Sequence, residues 1–386
     1  MTELLRACLP APDPALAAAL RKPFRRGHAI AALAAAQARP ARATSVLAGY
    51  FRSTRALGSK DRPVVSEAVY AAVKHGAFLA QAGAAGAEAL IDGVAALWEG
   101  ERFPTLAGTG SEAGDLAVAV GVPPGLAGEW LARWGAAGAA ALGAALAGRA
   151  PVHLRVNRAR STRAAAAAAL AAAGVDTRPL PGLEDGLEVL GRPVLGRLPA
   201  ALDGLVEVQD ASSQHLVAAL GPLAGLRVWD ACAGAGGKAL ALAAAGARVW
   251  ASDPRSHALD ELQRRAARAG AAVRVGPPPA DAAFDLVLVD APCSGSGRLR
   301  REPALRWGLD PAAFLGRQAA ILAAAAPRVR AGGRLVYATC SLAEAENHPP
   351  LPGEGAAWRL DAARVLWPHT DDTDGFGWRV WARSAG

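Results

Sequence analysis

The chain has 386 residues, 52% of them hydrophobic, and a net charge of +8; that length allows two or three domains with separate cores. No stretch reaches the roughly 18 strongly apolar residues of a membrane span, and the opening Met-Thr-Glu-Leu-Leu-Arg lacks the basic and apolar regions of a secretory signal. Cys8, Cys232, Cys293 and Cys340 are too widely spaced for a structural zinc site or a disulfide scaffold, and free thiols fit a reducing cytoplasm.

In chain order, residues 1–147 read as helical. Apolar residues recur at helical spacing through 30–47 and 64–79, and no run alternates as a strand does. Between these stretches, Arg52, Arg55, Lys60 and Arg62 form a basic loop ahead of the helix that Pro63 opens. Residues 1–75 contain 12 Lys+Arg and 4 Asp+Glu, a difference of +8; the other 30 and 30 charges cancel. A basic domain joined to a neutral one fits a polyanion such as RNA as well as it fits a merely soluble basic surface.

Residues 148–205 change character: Val152-His-Leu-Arg-Val156 alternates as a strand and 162–173 is a helix, with short strands expected at 187–190 and 206–208. From 206 to 386 the rhythm becomes strand, glycine turn, helix, strand. This pattern predicts a parallel doubly wound sheet, with strands near 226–230, 247–252, 284–289 and 333–339. Helices are expected near 237–245, 256–269 and 311–326, and two antiparallel strands at 358–368 and 375–383 close the sheet.

In such a sheet, residues just past the carboxyl ends of the strands line the ligand crevice. Val228-Trp-Asp-Ala-Cys-Ala-Gly-Ala-Gly-Gly-Lys238 follows the first strand, and its glycines allow close backbone approach to a ligand. Asp230, Cys232, Ala233, Gly234, Gly236, Gly237 and Lys238 are the candidate cofactor contacts there, joined by Asp290 and by Asp253 as partner for a ribose diol. Lys238 either caps the cofactor or pairs with a neighbouring acid, and Cys232 is better read as a small packing residue than as a nucleophile. The loop lacks the G-x-G-x-x-G order, and Asp230 would repel a pyrophosphate. A cationic nucleoside such as S-adenosylmethionine therefore suits it better than a dinucleotide.

Two more strand ends carry thiols: Asp290-Ala-Pro-Cys293-Ser-Gly and Thr339-Cys340-Ser341. A lone cysteine is usually a small hydrophobe. Two delivered to one crevice, one of them behind a carboxylate, point to covalent chemistry. A metal site with His348 or His369 lacks any supporting ligand spacing, so none is expected.

These motifs, in this order, resemble the Sun-type (Fmu, Nol/Nop/Sun) RNA cytosine-5 methyltransferase family. The resemblance runs from Val208-Gln-Asp-Ala-Ser-Ser-Gln214 through Arg300-Arg-Glu-Pro-Ala-Leu-Arg-Trp307 and Glu346-Asn347 to Thr373-Asp-Gly-Phe376. It implies a Rossmann-like class I methyltransferase domain with a seven-stranded, mostly parallel sheet. Ahead of it would come an all-α NusB-like RNA-binding domain and a small α+β subdomain. Cys340 is then the nucleophile that adds to cytosine C6, Cys293 assists release, and Asp290 hydrogen-bonds the base. Arg300, Arg301, Arg306 and Trp307 are expected at the RNA beside the basic loop, with phosphate contact and base stacking as their roles.

S-adenosylmethionine would be the methyl donor, ribosomal RNA the favoured substrate and tRNA the runner-up, for a cytoplasmic and monomeric enzyme. The readings to be tested against this one are a non-catalytic RNA-binding assembly factor on the same fold and a nicotinamide-dependent oxidoreductase. Where many family members have proline in the cofactor loop, this chain has Ala235. Its segment 273–281, the counterpart of the family's third cofactor segment, is short and proline-rich, and Asp281 is the residue expected at adenine.

Overall fold

The structure is a computed structural model, and it describes residues 6–101, 108–191 and 203–385. The chain divides into two compact units, 1–149 with 294–310, and 150–293 with 311–386. The segment 294–310, which the sequence reading kept inside 206–386, therefore groups with the helical part.

In the first unit the helices run Pro14–Leu20, Pro23–Gln37, Ala43–Ser53, Arg62–Gln81, Gly86–Glu99, Glu112–Val120 and Pro124–Ala147. Their ends follow local chemistry. The Asp13 and Ser111 side chains accept hydrogen bonds from Leu16 N and Gly114 N, which satisfies first-turn donors. Pro63 sits in the first turn of Arg62–Gln81 as expected. The apolar periodicity of 30–47 is interrupted, because Pro40 starts a short 3-10 turn between two helices and has no N–H to continue the first. Val65, Ala68, Val69, Ala72, Val73 and Leu79 form the buried stripe of the long helix. Gly93 lets a neighbouring helix approach it, since a Cβ there would meet Leu79 Cδ2 at 2.8 Å.

The second unit contains two sheets. The smaller is antiparallel, in the order β2 (Thr177–Pro179), β3 (Gly186–Val189), β1 (Val152–Val156), β4 (Val206–Val208). Its core is built from Leu154, Val156, Leu187, Val189 and Val206 with Ala166 and Leu170 of the helix Arg163–Ala172. Strand 206–208, which the sequence groups with these short strands although it places the start of the following domain at 206, pairs in this sheet. Its Val206 side chain completes this core.

The larger sheet has seven strands: β5 (Arg227–Asp230), β6 (Arg248–Ala251), β7 (Val273–Val275), β8 (Phe284–Asp290), β9 (Val329–Thr339), β10 (Trp358–Leu366) and β11 (Phe376–Arg383). Their order is β10-β11-β9-β8-β5-β6-β7. The run from β9 to β7 is parallel and the two outer pairings are antiparallel. In β8 the alternation is plain: Leu286 and Leu288 pack in one core, Val287 and Val289 in the other. A strand apolar on both faces is what a sheet covered on both sides demands. Chain order reverses beside β5, so the carboxyl ends of β5, β6, β8 and β9 open on one crevice. No helix among the described residues is long and apolar enough to cross a membrane.

Candidate active site

Each acid of the crevice is delivered by a strand end. Asp230 closes β5, Asp290 closes β8, and Asp253 lies two residues past β6. Asp230 is fully buried, and neither of its carboxylate oxygens accepts a hydrogen bond of normal geometry. Burial first, and the Asp290 carboxylate second, push its carboxyl up to about 7, with Lys238 and the Cys232 amide pulling the other way. A buried acceptor pair with so little donation to it is costly unless a ligand supplies more, and an ammonium group has the donors to do so.

The glycine turn is shaped for close approach. Gly234 and Gly236 have φ of 52° and 85°, a region that L side chains enter only under strain. A Cβ on Gly236 would lie 2.5 Å from Leu262 Cγ, whereas one on Gly234 would meet only Arg255 Nη2 at 3.5 Å. Gly236 is thus required by packing between the helices Gly237–Ala244 and Ser256–Ala269, and Gly234 leaves open space over the turn. From the other side, Gln209 Nε2 donates to Gly237 O (3.0 Å), and Gln209 Oε1 accepts from buried Arg155 Nε (2.7 Å). Asp253 Oδ2 accepts from Gly234 N at 2.9 Å. Burial works to raise the Asp253 carboxyl, but hydrogen bonds from Arg255 and Gly234 hold it below the usual carboxylate range.

Lys238 does not extend freely into the crevice: its Nζ is 2.7 Å from Asp290 Oδ2 and 4.8 Å from the Phe376 ring centroid. Of the two alternatives for Lys238, the structure shows the acid pair. Cys232 is half-buried against the core; burial, then Asp230, Asp290 and Asp253, push its thiol up to about 12. This is the chemistry of a packing residue.

The two remaining thiols meet. Ala291 N donates to Ala338 O at 2.8 Å, joining the loop after β8 to β9. Cys293 Sγ is then 3.3 Å from Cys340 Sγ. A disulfide needs about 2.05 Å, and neither cysteine is part of one. The two thiol loops share a buried brace. Gln318 Nε2 donates to Pro292 O (3.0 Å) and to Glu346 Oε1 (2.9 Å), and Glu346 Oε2 accepts from Ser341 Oγ (2.6 Å). Asn347 donates to Ser341 O (3.0 Å), accepts from Thr339 Oγ1 (2.7 Å) and so fixes the chain on both sides of Cys340. Sequence reasoning missed Gln318 and Arg155. The only available signal was a long polar side chain inside an alanine-rich helix and a cation in an alternating strand.

Asp210 takes the N-cap role, accepting from Ser212 N (2.9 Å) and also from Asp374 N (3.1 Å), with His153 Nδ1 at 3.1 Å. Burial works to raise its carboxyl, but the bonds from His153 and Ser212 hold it well below the usual range. The Thr373–Phe376 motif is thereby tied to the Gln209-Asp210 motif. Among the described residues, no group of His, Cys, Asp and Glu is arranged to hold a metal ion.

Three expectations need correction. Asp281 is exposed in the turn three residues ahead of Phe284, where β8 begins, at the amino end of that strand and away from the carboxyl ends that open on the crevice. Arg300 and Arg306 are buried, because their loop folds into 3-10 turns that direct these cations inward. The Arg306 guanidinium donates to the carbonyl oxygens of Val120 (2.7 Å), Leu299 (2.8 Å) and Leu146 (3.0 Å), all within the helical unit. Burial alone lowers its pKa to about 9. It is a clasp and not an RNA contact. Arg301 and Trp307 are half-exposed, and Arg52, Arg55, Lys60 and Arg62 are fully at the surface.

Comparison with known proteins bears on the same two regions. A family model described as 16S rRNA methyltransferase RsmB/F matches residues 217–352. A second, for the ferredoxin-like domain of RsmF/B-like methyltransferases, matches 123–194. The ribosomal RNA small subunit methyltransferase B of Erwinia tasmaniensis is 35% identical over 252 residues, 59% of this chain and 58% of that protein. The match thus spans less than two thirds of that relative. The crystal structure of PH0851 shares the fold over 92% of this chain and 98% of its own (TM-score 0.72, 19% identity). A methyltransferase homologue from Pyrococcus horikoshii covers 70% and 98% of the two chains (TM-score 0.58, 25% identity).

Proposed function

We propose that this chain is a member of the RsmB/F methyltransferase family, whose models match it in part, and an S-adenosylmethionine-dependent enzyme that methylates C5 of cytosine in RNA. The single observation that carries the chemistry is the meeting of Cys293 and Cys340, 3.3 Å apart, at strand ends shared with the acids of the crevice. Membership of the family and the rRNA methyltransferase named among its relatives support ribosomal RNA as the substrate class, with tRNA as the alternative.

The residues fit the methyl donor. Asp230 offers an acceptor pair to an ammonium group, the Gly234 turn leaves space for the nucleoside, and Asp253 stands where a ribose diol would bind. When bound, S-adenosylmethionine supplies an electrophilic methyl on sulfur. Cytosine C5 is a poor nucleophile, and the protein's task is to make it a good one. The Cys340 thiolate adds to C6, forming an S–C6 bond and moving the electron pair of the 5,6 double bond toward C5. Asp290, held by Lys238, accepts from the exocyclic amine and orients the base, and the Lys238 ammonium beside it offsets the negative charge that develops on the ring. After C5 has taken the methyl, its proton is removed with help from Cys293. The S–C6 bond then breaks, restoring the double bond and the Cys340 thiolate.

The exposed Arg52, Arg55, Lys60 and Arg62 supply phosphate contacts. Bisulfite mapping of RNA from cells with and without the gene tests the reading. A cytosine that loses its protection in the deletion is expected, and an unchanged profile in both ribosomal RNA and tRNA would remove this activity.

A further inference from the structure

Within the cofactor crevice one cation is not accounted for by catalysis. Arg255 lies two residues after Asp253, and its main chain and side chain both turn back on that acid. Asp253 Oδ1 accepts from Arg255 N (3.0 Å) and Arg255 Nε (2.9 Å); Oδ2 accepts from Arg255 Nη2 (3.0 Å) and Gly234 N (2.9 Å). A carboxylate has about four lone-pair sites, so its acceptor capacity is filled. The Asp253 side chain is 3% exposed while that of Arg255 is 61% exposed. The two donors from the guanidinium are therefore the removable ones, and they come from the solvent side. The same Nη2 lies 3.5 Å from where a Cβ on Gly234 would be, over the turn that leaves room for a nucleoside.

We propose that Arg255 is a latch on the ribose site. Its guanidinium occupies the Asp253 acceptor positions that a vicinal diol needs, and a ribose diol reaches Asp253 only by displacing it. The inference rests on the reading of this crevice as an S-adenosylmethionine site. The latch sets how tightly any diol-bearing nucleoside is held, substrate and product alike, and leaves a ligand without the two hydroxyls unaffected. Because the pair is largely solvated on the arginine side, its rupture costs little.

The test is calorimetric, with the full-length protein, S-adenosylmethionine, S-adenosylhomocysteine and the homocysteine analogue lacking both ribose hydroxyls. Arg255→Ala is expected to bind both natural ligands roughly two- to fivefold more tightly and to leave the affinity of the dideoxy analogue unchanged. Arg255→Lys, which keeps the charge but loses the two-pronged geometry, is expected to fall between. A gain for cationic S-adenosylmethionine alone would mean that charge, and not competition for Asp253, is at work, and would overturn the latch. Unchanged or weaker binding of both ligands by Arg255→Ala would overturn it as well. Failure of the underlying reading looks different: the unmutated protein would bind neither ligand.

Discussion

Gln318 and Glu346 form one buried bond, 2.9 Å from Nε2 to Oε1, that connects the two cysteine loops. Gln318 also grips the carbonyl before Cys293, and Glu346 grips the serine after Cys340. The separation of the sulfurs is thus set from behind by side chains that carry no reacting atom. Gln318→Leu removes both donors and leaves the Glu346 carboxylate buried with an acceptor unfilled. A loss of about 1–3 kcal/mol in stability is expected, together with a fall in kcat larger than any change in KM for RNA. Chemical denaturation and steady-state kinetics on one preparation read both. Unaltered kcat would show that the loops hold their spacing without the brace.

Asp230 gives a pH dependence with a definite sign. Its folded pKa of about 7 lies above the ordinary 3.9 of an unfolded aspartate. The folded state therefore binds the proton more tightly. The associated stabilisation is complete below about pH 4 and is lost as pH rises to about 7. Asp230→Asn should accordingly raise the melting temperature at pH 8 and change it little at pH 4. A bound ammonium favours the ionised carboxylate, so affinity for S-adenosylmethionine should fall as pH drops below about 7, and the Asn variant should lose both the affinity and this slope. Melting curves and calorimetry across pH 4 to 8 check each point.

The glycine turn separates two kinds of constraint. Gly236→Ala places a methyl 2.5 Å from Leu262 Cγ at a φ of 85°, so the variant should lose roughly 2–4 kcal/mol through overpacking and backbone strain together. Gly234→Ala meets no atom closer than 3.5 Å and should lose only about 1 kcal/mol, with most of its effect on ligand affinity. Denaturant midpoints and S-adenosylhomocysteine affinities for the pair distinguish them.

Among the cations, burial predicts which ones serve RNA. Arg306→Ala breaks three bonds to buried carbonyl oxygens and should destabilise the protein by a few kcal/mol. Arg52→Ala with Arg55→Ala touches only exposed side chains. That double variant should keep its stability, weaken RNA binding across sequences and lower the salt slope by about one to two. Filter binding at several salt concentrations measures this.

Much of the second unit is legible in the chain itself because each strand end carries punctuation. Asp230 before Gly234, Asp290 before Pro292 and Thr339 before Cys340 mark where buried runs stop and the crevice begins. The chemistry of those residues depends on local order, which a sequence displays. What the sequence could not display is partnership across distance. Arg306 reads as an RNA cation until three carbonyl oxygens from elsewhere in the helical unit surround it. The boundary at 206 separates strand 206–208 from the short strands it reads with, and Val206 in fact fills the smaller sheet's core. Asp281 fails for a simpler reason: the connection from β7 to β8 is short, so the residue falls at the wrong end of the sheet.

The covalent role of residue 340 is most directly measured by denaturing electrophoresis of the protein after incubation with substrate RNA and S-adenosylmethionine. Cys293→Ala is expected to accumulate a protein–RNA species that survives denaturation, because the methylated base stays bonded to the Cys340 sulfur. Cys340→Ala and the double variant are expected to give none. A stable adduct formed by Cys340→Ala and not by Cys293→Ala would reverse the two roles and contradict the account.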